Sequence, residues 1–297
     1  GLQNTDEVFE NVSYTKRWYA SIFTGIPDYS GLNSTNVNGF KNPWASICDE
    51  LVTGYGNASK YNNSDKNATN VSFHRYGDCY KAIRQANIFL QKAHVITAGG
   101  TPGDELLEPE LKRYQAHARF MRAFYHYLLF EQYGPIIIVG DKVYEATESQ
   151  DMSRNSVDEV VEYLDKELLA SADELSQEPI IDENYRAEPT KGVALAVRAK
   201  MWVYAASPLL NGGFNEALNI ANPDGKKLFP IADAAKWERA RQACADFINY
   251  ANENNRYELY YAAPEKNGVV NPEKSVYELF QKYTKEIIWA TATADWG

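Results

Sequence analysis

The sequence predicts an all-α protein, an irregular α-solenoid of tetratricopeptide-like helix pairs with long loops and little β structure. Six segments carry apolar residues at the three- and four-residue spacing of an amphipathic helix. Within each of two pairs, the segments begin about 32–34 residues apart, close to the period of tetratricopeptide repeats. Long polar loops over 26–74, 207–232 and 255–285 separate the helices. Loops of this length are uncommon in compact domains unless they are functional or disordered.

The first two predicted helices cover 6–24 and 76–97, and each has one apolar face. Gly25 and Pro27 end the first helix, because neither residue continues a helix well. The pair Gly99-Gly100 ends the second.

The third predicted helix, 108–133, has apolar residues on two faces. A helix of this kind has to be sandwiched between neighbours. Gly134-Pro135 ends it, and a short extended run of apolar residues follows over 136–139.

The later predicted helices cover 156–176, 190–206 and 233–253. The first of them opens with Ser156 and Glu159, the spacing of a capping box. We expect 76–97 to pair with 108–133, and 156–176 with 190–206, in antiparallel hairpins. The β-branched run 286–290 predicts a short strand.

Composition excludes several classes of function. The formal charge of −10 repels nucleic-acid phosphates, and no apolar run is long enough to span a membrane. The start of the sequence has no signal-peptide pattern, although an anchor upstream remains open. The three cysteines lack metal-ligand spacing and predict buried free thiols. The four histidines lack it too, and predict packing or surface roles.

Exposed aromatics beside amides and carboxylates suggest where a ligand binds. Sugars have apolar C–H faces and a rim of hydroxyls, which suit flat rings and short polar side chains. The Asn-rich stretch 33–70 and the C-terminal end both offer this combination. The candidate glycan-binding residues are Trp44, Tyr55, Asn57, Tyr61, Asn63, Asp65, Tyr283 and Trp296. We expect no cofactor; the Asn/Asp-rich stretches permit a structural calcium ion but show no EF-hand spacing.

Four segments, in order, resemble the SusD/RagB family of outer-membrane lipoproteins of Bacteroidetes. The segment 119–134, RFMRAFYHYLLFEQYG, is similar to the family's RFLRAxYYFxL…YG. The other three similar segments are YKAIRQAN at 80–87, Arg154 with SVDEV at 156–160, and TKGVA at 190–194 with AKMWVYAASP at 199–208. Together they cover about 76–290.

The resemblance implies a helical, non-enzymatic protein with tetratricopeptide-like units that support a loop-rich ligand face. It implies a single domain over 1–297 that is incomplete at its C-terminus. The scaffold would cover 76–254 and the ligand face 26–75 and 255–297. Pro135 directly after Gly134 departs from the family pattern, and no ligand residue transfers by motif.

The resemblance also implies partners and a location. The protein would capture an oligosaccharide or polysaccharide by aromatic stacking and deliver it to a SusC-like TonB-dependent transporter. It would face the exterior from the outer leaflet of the outer membrane, on a lipid anchor upstream of this chain. Three alternatives remain open: a peptide-binding RagB-like subunit, a helical-repeat scaffold for protein partners, and an enzyme such as a glycoside hydrolase.

Overall fold

The computed structural model describes residues 5–28, 67, 69, 74–97, 104–145, 148 and 151–290. Over these ranges the chain forms eight α-helices and three short 3₁₀ helices, with isolated β-bridges and no strand. None of the described helices has both the length and the apolarity to cross a bilayer. The helices are α1 (Thr5–Phe9), α2 (Val12–Ser21), α3 (Tyr76–Lys92), α4 (Glu108–Tyr133), α5 (Val157–Glu174), α6 (Lys191–Ala206), α7 (Ala235–Asn252) and α8 (Pro272–Leu279).

Helices α3 to α7 pack in chain order, each against the next. The predicted pairs α3–α4 and α5–α6 are both present, and α4 also contacts α5 while α6 contacts α7. This succession confirms the all-α solenoid. As predicted, α4 is buried on two sides, with Phe120 and Leu129 among its fully buried residues.

Local signals explain where several helices begin and end. The Ser156 Oγ accepts the Glu159 backbone N–H at 3.3 Å, and the Glu159 carboxylate accepts the Ser156 N–H at 2.7 Å. The predicted capping box at the start of α5 is therefore confirmed. Gly134 ends α4 with φ of 66°, a conformation that costs a glycine little.

Four sequence expectations need correction. The helix predicted over 76–97 ends at Lys92, because Ala93 is extended. The predicted helix 6–24 is interrupted, because the side chain of Asn11 accepts the Tyr14 N–H at 3.0 Å and starts α2 as a new helix. The predicted strand at 286–290 is wrong: Ile287 N donates to Thr284 O in a turn, and the segment pairs with no other strand in the described chain. Helix α8 lies inside the loop predicted over 255–285.

The cysteines and histidines of the described ranges take structural positions. Cys79 is a buried free thiol, whereas the free thiol of Cys244 is half-buried; Cys48 lies outside the described residues. Burial lowers the pKa of His117 to about 3 and the pKa of His126 to about 4, so both imidazoles are neutral at pH 7.

A buried arginine joins helices α3, α4 and α5. The Arg122 guanidinium, on α4, donates to Asn87 Oδ1 of α3 at 3.1 Å and to a Glu167 carboxylate oxygen of α5 at 3.0 Å. Arg119, one turn earlier, also donates to Glu167 at 3.2 Å. Burial acts to raise the pKa of Glu167, but these two arginines outweigh it and lower that pKa below its usual value.

A second buried arginine joins α5, α6 and α7. Arg198 of α6 donates to Asp165 of α5 at 2.6 Å and to Asp246 of α7 at 2.7 Å. The indole of Trp202 donates to the same Asp165 oxygen at 2.6 Å, and Arg239 lies 4.0 Å from the Trp202 ring centroid. The two arginines thus connect all five helices of the solenoid.

The segment 136–144, which we call the clamped segment, is held by side chains from one face of α3. Tyr80 donates its hydroxyl to Ile137 O at 2.8 Å and accepts the Ile137 N–H at 3.1 Å. Arg84, Asn87 and Gln91 follow at helical spacing, and each donates to a backbone carbonyl between 140 and 144. From α4, His126 Nε2 accepts the Val139 N–H at 3.3 Å. The segment therefore satisfies its backbone groups without a sheet.

Replacing Glu167 tests the buried network. Glu167→Ala leaves the buried Arg122 without its carboxylate and removes one of the two carboxylates that Arg119 contacts, so we expect a loss of about 3 kcal/mol in the free energy of unfolding. The matched control is Glu162→Ala on the same helix. Glu162 also pairs with an arginine, but its side chain is 60% exposed, so the loss stays below about 1 kcal/mol. Urea denaturation measures both, and equal losses would contradict the role given to the buried pair.

His126→Gln tests the buried imidazole. Because the folded pKa of about 4 lies below the unfolded value of 6.5, the folded protein binds fewer protons between these pH values. Wild-type stability therefore falls as pH drops from 6.5 towards 4. The variant lacks this titration. Its deficit in free energy of unfolding relative to wild type therefore shrinks by roughly 1 kcal/mol per pH unit as the pH falls through that window. A deficit that stays constant from pH 7 to pH 5 would rule the interpretation out.

Candidate functional site

Of the eight residues predicted to bind glycan, the structure describes Tyr283. The other seven are Trp44, Tyr55, Asn57, Tyr61, Asn63, Asp65 and Trp296, which lie outside the described residues. Tyr283 lies on a cleft of about 650 Å³ that we call the C-terminal cleft. This volume falls within the range of small-ligand sites. The cleft is lined by Leu279, Phe280, Gln281, Lys282, Tyr283, Glu286, Ile287 and Ala290.

Helix α8 positions the first wall of this cleft. Asn271 caps the helix by accepting the Lys274 N–H at 3.1 Å, and Pro272 occupies its first turn. Ser275 is buried and accepts the Ala262 N–H at 2.9 Å, which ties α8 to the preceding segment. The opposite face of α8 stays in solvent, so that Tyr277 and Phe280 are 68% and 66% exposed.

A hydrophobic anchor fixes the other end of the cleft to the solenoid. The Trp289 ring lies 5.6 Å from the Phe120 ring and 5.2 Å from the Phe124 ring, centroid to centroid. Its indole N–H donates to Ala187 O at 2.8 Å. The apolar run that predicted a strand therefore serves as a packing anchor.

The aromatic rings at the cleft offer faces for a sugar. Tyr283 remains 40% exposed, and the Arg186 guanidinium lies 4.7 Å from its ring centroid. Burial raises the pKa of the Tyr283 hydroxyl, against the opposing effect of Arg186, so the phenol stays protonated and can donate a hydrogen bond. With Phe280 and the Gln281 amide, the cleft combines apolar faces with donors and acceptors.

The charged groups at the cleft are largely satisfied within the protein. Lys282 donates to Glu278 at 2.9 Å and lies 4.8 Å from the Tyr260 ring centroid. A carboxylate oxygen of Glu286 accepts the Tyr260 N–H at 2.8 Å. The arrangement suits a ligand without a net charge, because the site offers no free cluster of either sign among its described residues.

A second cleft, of about 440 Å³, lies where the predicted ligand loop 26–74 is attached. Pro27 and His74 both line it, so the described residues on either side of that loop meet at one place. Nearby, Gly25 packs closely on Tyr125: a Cβ built at Gly25 would lie 2.9 Å from the ring. The Tyr125 hydroxyl donates to Ile22 O.

One turn of α4 therefore supports both clefts. Phe124 contacts Trp289 beside the C-terminal cleft, and the adjacent Tyr125 holds the residues beside the loop attachment. Sequence reasoning missed Phe280 and Gln281. The sequence does contain the pattern of a helix here. Asn271 and Pro272 form a helix start, and Val276, Tyr277 and Phe280 follow at helical spacing.

Metal binding finds no support within the described ranges, where no group of three or more His, Cys, Asp or Glu residues is arranged to hold an ion. The Asn-rich stretch that permits a calcium ion lies almost wholly outside them.

Solved structures share the fold. The protein BT4246 is 25% identical, with a TM-score of 0.63 over 93% of this chain and 46% of its own. Surface glycan-binding protein A from Bacteroides uniformis is 18% identical, with a TM-score of 0.56 over 93% of this chain and 51% of its own. A laminarin-binding SusD-like protein is 20% identical, with a TM-score of 0.53 over 71% of this chain and 44% of its own. The chain thus spans about half the length of these structures.

Sequence comparison identifies the family. None of the curated protein sequences matches the chain. The model of a SusD-like family, described as starch-binding and associating with the outer membrane, matches residues 30–203, more than half of the chain. The helical solenoid and the structural neighbours agree with this match. The chain therefore belongs to the SusD-like family.

Proposed function

We propose that this protein is a cell-surface glycan-binding subunit that captures an oligosaccharide by stacking sugar rings on aromatic side chains. Membership of a family described as starch-binding is the observation that carries the proposal. A laminarin-binding protein and a surface glycan-binding protein among the structural neighbours support it. The protein acts by binding and not by bond cleavage.

The C-terminal cleft supplies the chemistry on the described part of the chain. Phe280 and Tyr283 offer ring faces, Gln281 offers an amide, and the charged side chains nearby are paired. A neutral glycan fits this surface because it brings no charge that the site would have to neutralise. We expect weak binding at each site, since a stacked surface ligand buries little area. A polymer gains avidity by repeating the contact.

The remaining predicted residues extend this proposal. We propose that Trp44, Tyr55, Asn57, Tyr61, Asn63 and Asp65, together with Trp296, contribute to the same ligand face. The family description as associating with the outer membrane supports a surface location. Within that location, we propose a lipid anchor upstream of this chain and delivery of the glycan to a SusC-like TonB-dependent transporter.

Affinity electrophoresis of the full-length protein tests glycan binding. Gels contain one neutral polysaccharide each, with starch and laminarin among them. We expect one of them to retard the wild type, and Phe280→Ala or Tyr283→Ala to reduce the retardation about tenfold, because each variant removes one stacking face.

Phe214→Ala is the matched control. Phe214 is 43% exposed, close to the 40% of Tyr283, but it lies outside the C-terminal cleft. Its loss should leave retardation unchanged. If no polysaccharide retards the wild type, the proposal for the C-terminal cleft fails, and the ligand class at this cleft moves to peptides. If the control weakens binding as much as Tyr283→Ala, the cleft is not the site.

A further inference from the structure

A third cavity lies between the first turns of α3 and the clamped segment, away from the C-terminal cleft. Its volume is about 560 Å³, within the range of small-ligand sites. We call it the tyrosine cavity, and its main lining residues are Tyr76, Tyr80, Arg84, Ile137, Tyr144 and Met152. Three phenol rings around one space offer flat apolar surfaces with polar edges.

The walls of this cavity are fixed by contacts within the protein. Tyr80 exchanges two hydrogen bonds with the backbone of Ile137. The Tyr76 ring stands edge-on to the Tyr80 ring at 4.8 Å and to the Tyr133 ring at 5.5 Å, yet Tyr76 remains 37% exposed. A ligand therefore meets a surface already in place, which lowers the entropic cost of binding.

Two cations among the described residues, Lys142 and Arg84, line the cavity. Lys142 lies 3.7 Å from a Glu148 carboxylate oxygen and 4.3 Å from the Tyr144 ring centroid, so its charge is engaged. Arg84 uses one of its donors on Tyr144 O at 2.7 Å. Among the described residues, no carboxylate lies within ion-pair distance of Arg84. Its planar fork is suited to a bidentate contact with a carboxylate.

We propose that the tyrosine cavity binds an acidic sugar residue of a glycan, a pyranose that carries one carboxylate. The pyranose face packs on the tyrosine rings, and the carboxylate accepts hydrogen bonds from Arg84. In taking a glycan as the ligand this inference rests on the proposed function, but it assigns a second site with a different preference. The protein as a whole carries a charge of −10, so a single carboxylate held by one arginine suits it better than a polyanion does.

Isothermal titration calorimetry of the full-length protein tests the preference. The probes are xylotriose bearing one glucuronate branch and xylotetraose, its neutral counterpart. We expect the acidic probe to bind about tenfold more tightly than the neutral one, as a charge-assisted bidentate contact provides. Arg84→Gln should abolish that difference, and Arg84→Lys should restore part of it, because lysine keeps the charge but not the fork. Tyr76→Ala should weaken both probes.

Lys112→Gln on α4 serves as the charge control, since Lys112 is 71% exposed and lines none of the cavities described above. Thermal unfolding of each variant identifies any that fail to fold, and in that case Arg84→Lys carries the test. Equal binding of the two probes to the wild type, or no binding of either at about 10 mM, overturns the inference. So does an unchanged preference in Arg84→Gln.

The proposals for the two sites can be contradicted independently of each other. Loss of neutral-polysaccharide retardation in the Tyr283→Ala variant concerns the C-terminal cleft, whereas loss of acidic preference in the Arg84→Gln variant concerns the tyrosine cavity. A protein that binds the acidic probe but no neutral polysaccharide would contradict the first site and support the second.

Discussion

Two buried arginines link the helices of the solenoid, and the positions of the candidate binding surfaces depend on these links. Arg122 on α4 reaches back to α3 and forward to α5, while Arg198 on α6 reaches back to α5 and forward to α7. Apolar burial is non-directional, so on its own it fixes the relative height of neighbouring helices less strictly than a directional contact does. A buried guanidinium allows far fewer arrangements, because each helix must present its oxygen at the correct height. We infer that the two buried arginines and their carboxylates fix the register of the helices, although removing these charges from water costs free energy.

The same helices then position the segments that carry the candidate sites. The stripe of polar side chains on α3 holds the clamped segment by its backbone, and this creates one wall of the tyrosine cavity. On α4, adjacent residues serve different clefts: Phe124 receives Trp289, and Tyr125 holds the chain beside the loop attachment. Surface loops attached to these helices can thus change in sequence without disturbing the scaffold, because the helices are held by their own contacts.

Sequence reasoning located the scaffold well for a physical reason. Helices α3 to α7 each carry a buried face, so the period of 3.6 residues is present in the sequence itself. The end of α3 was misplaced because Ala93 adopts an extended conformation although the apolar pattern continues. The run at 286–290 reads as a strand because it is apolar and β-branched, but Trp289 packs on α4 instead, and a short apolar run does not reveal what it packs against.

The candidate site was less accessible to such reasoning. Two properties are three-dimensional, and no local pattern encodes them: the exposure of the aromatics on α8, and the lack of a described carboxylate within ion-pair distance of Arg84. The short helix α8 was the exception, since its Asn–Pro start and its helical spacing were legible in the sequence. Ligand surfaces are built from loops that carry little periodicity, and most of the predicted residues here belong to such a loop.

The anchor at Trp289 has a consequence for how the chain folds. Its hydrogen bond to Ala187 joins residues 102 positions apart, whereas the helix hairpins close over short distances in sequence. Contacts of high sequence separation are slow to form, because the entropy of closing the intervening loop is lost before the contact compensates it. We infer that the solenoid assembles first and the C-terminal cleft docks onto a scaffold that is already formed. On this inference the segment bearing Tyr283 detaches under milder denaturation than helices α3 to α7, as a cooperative unit separate from the helices that support it.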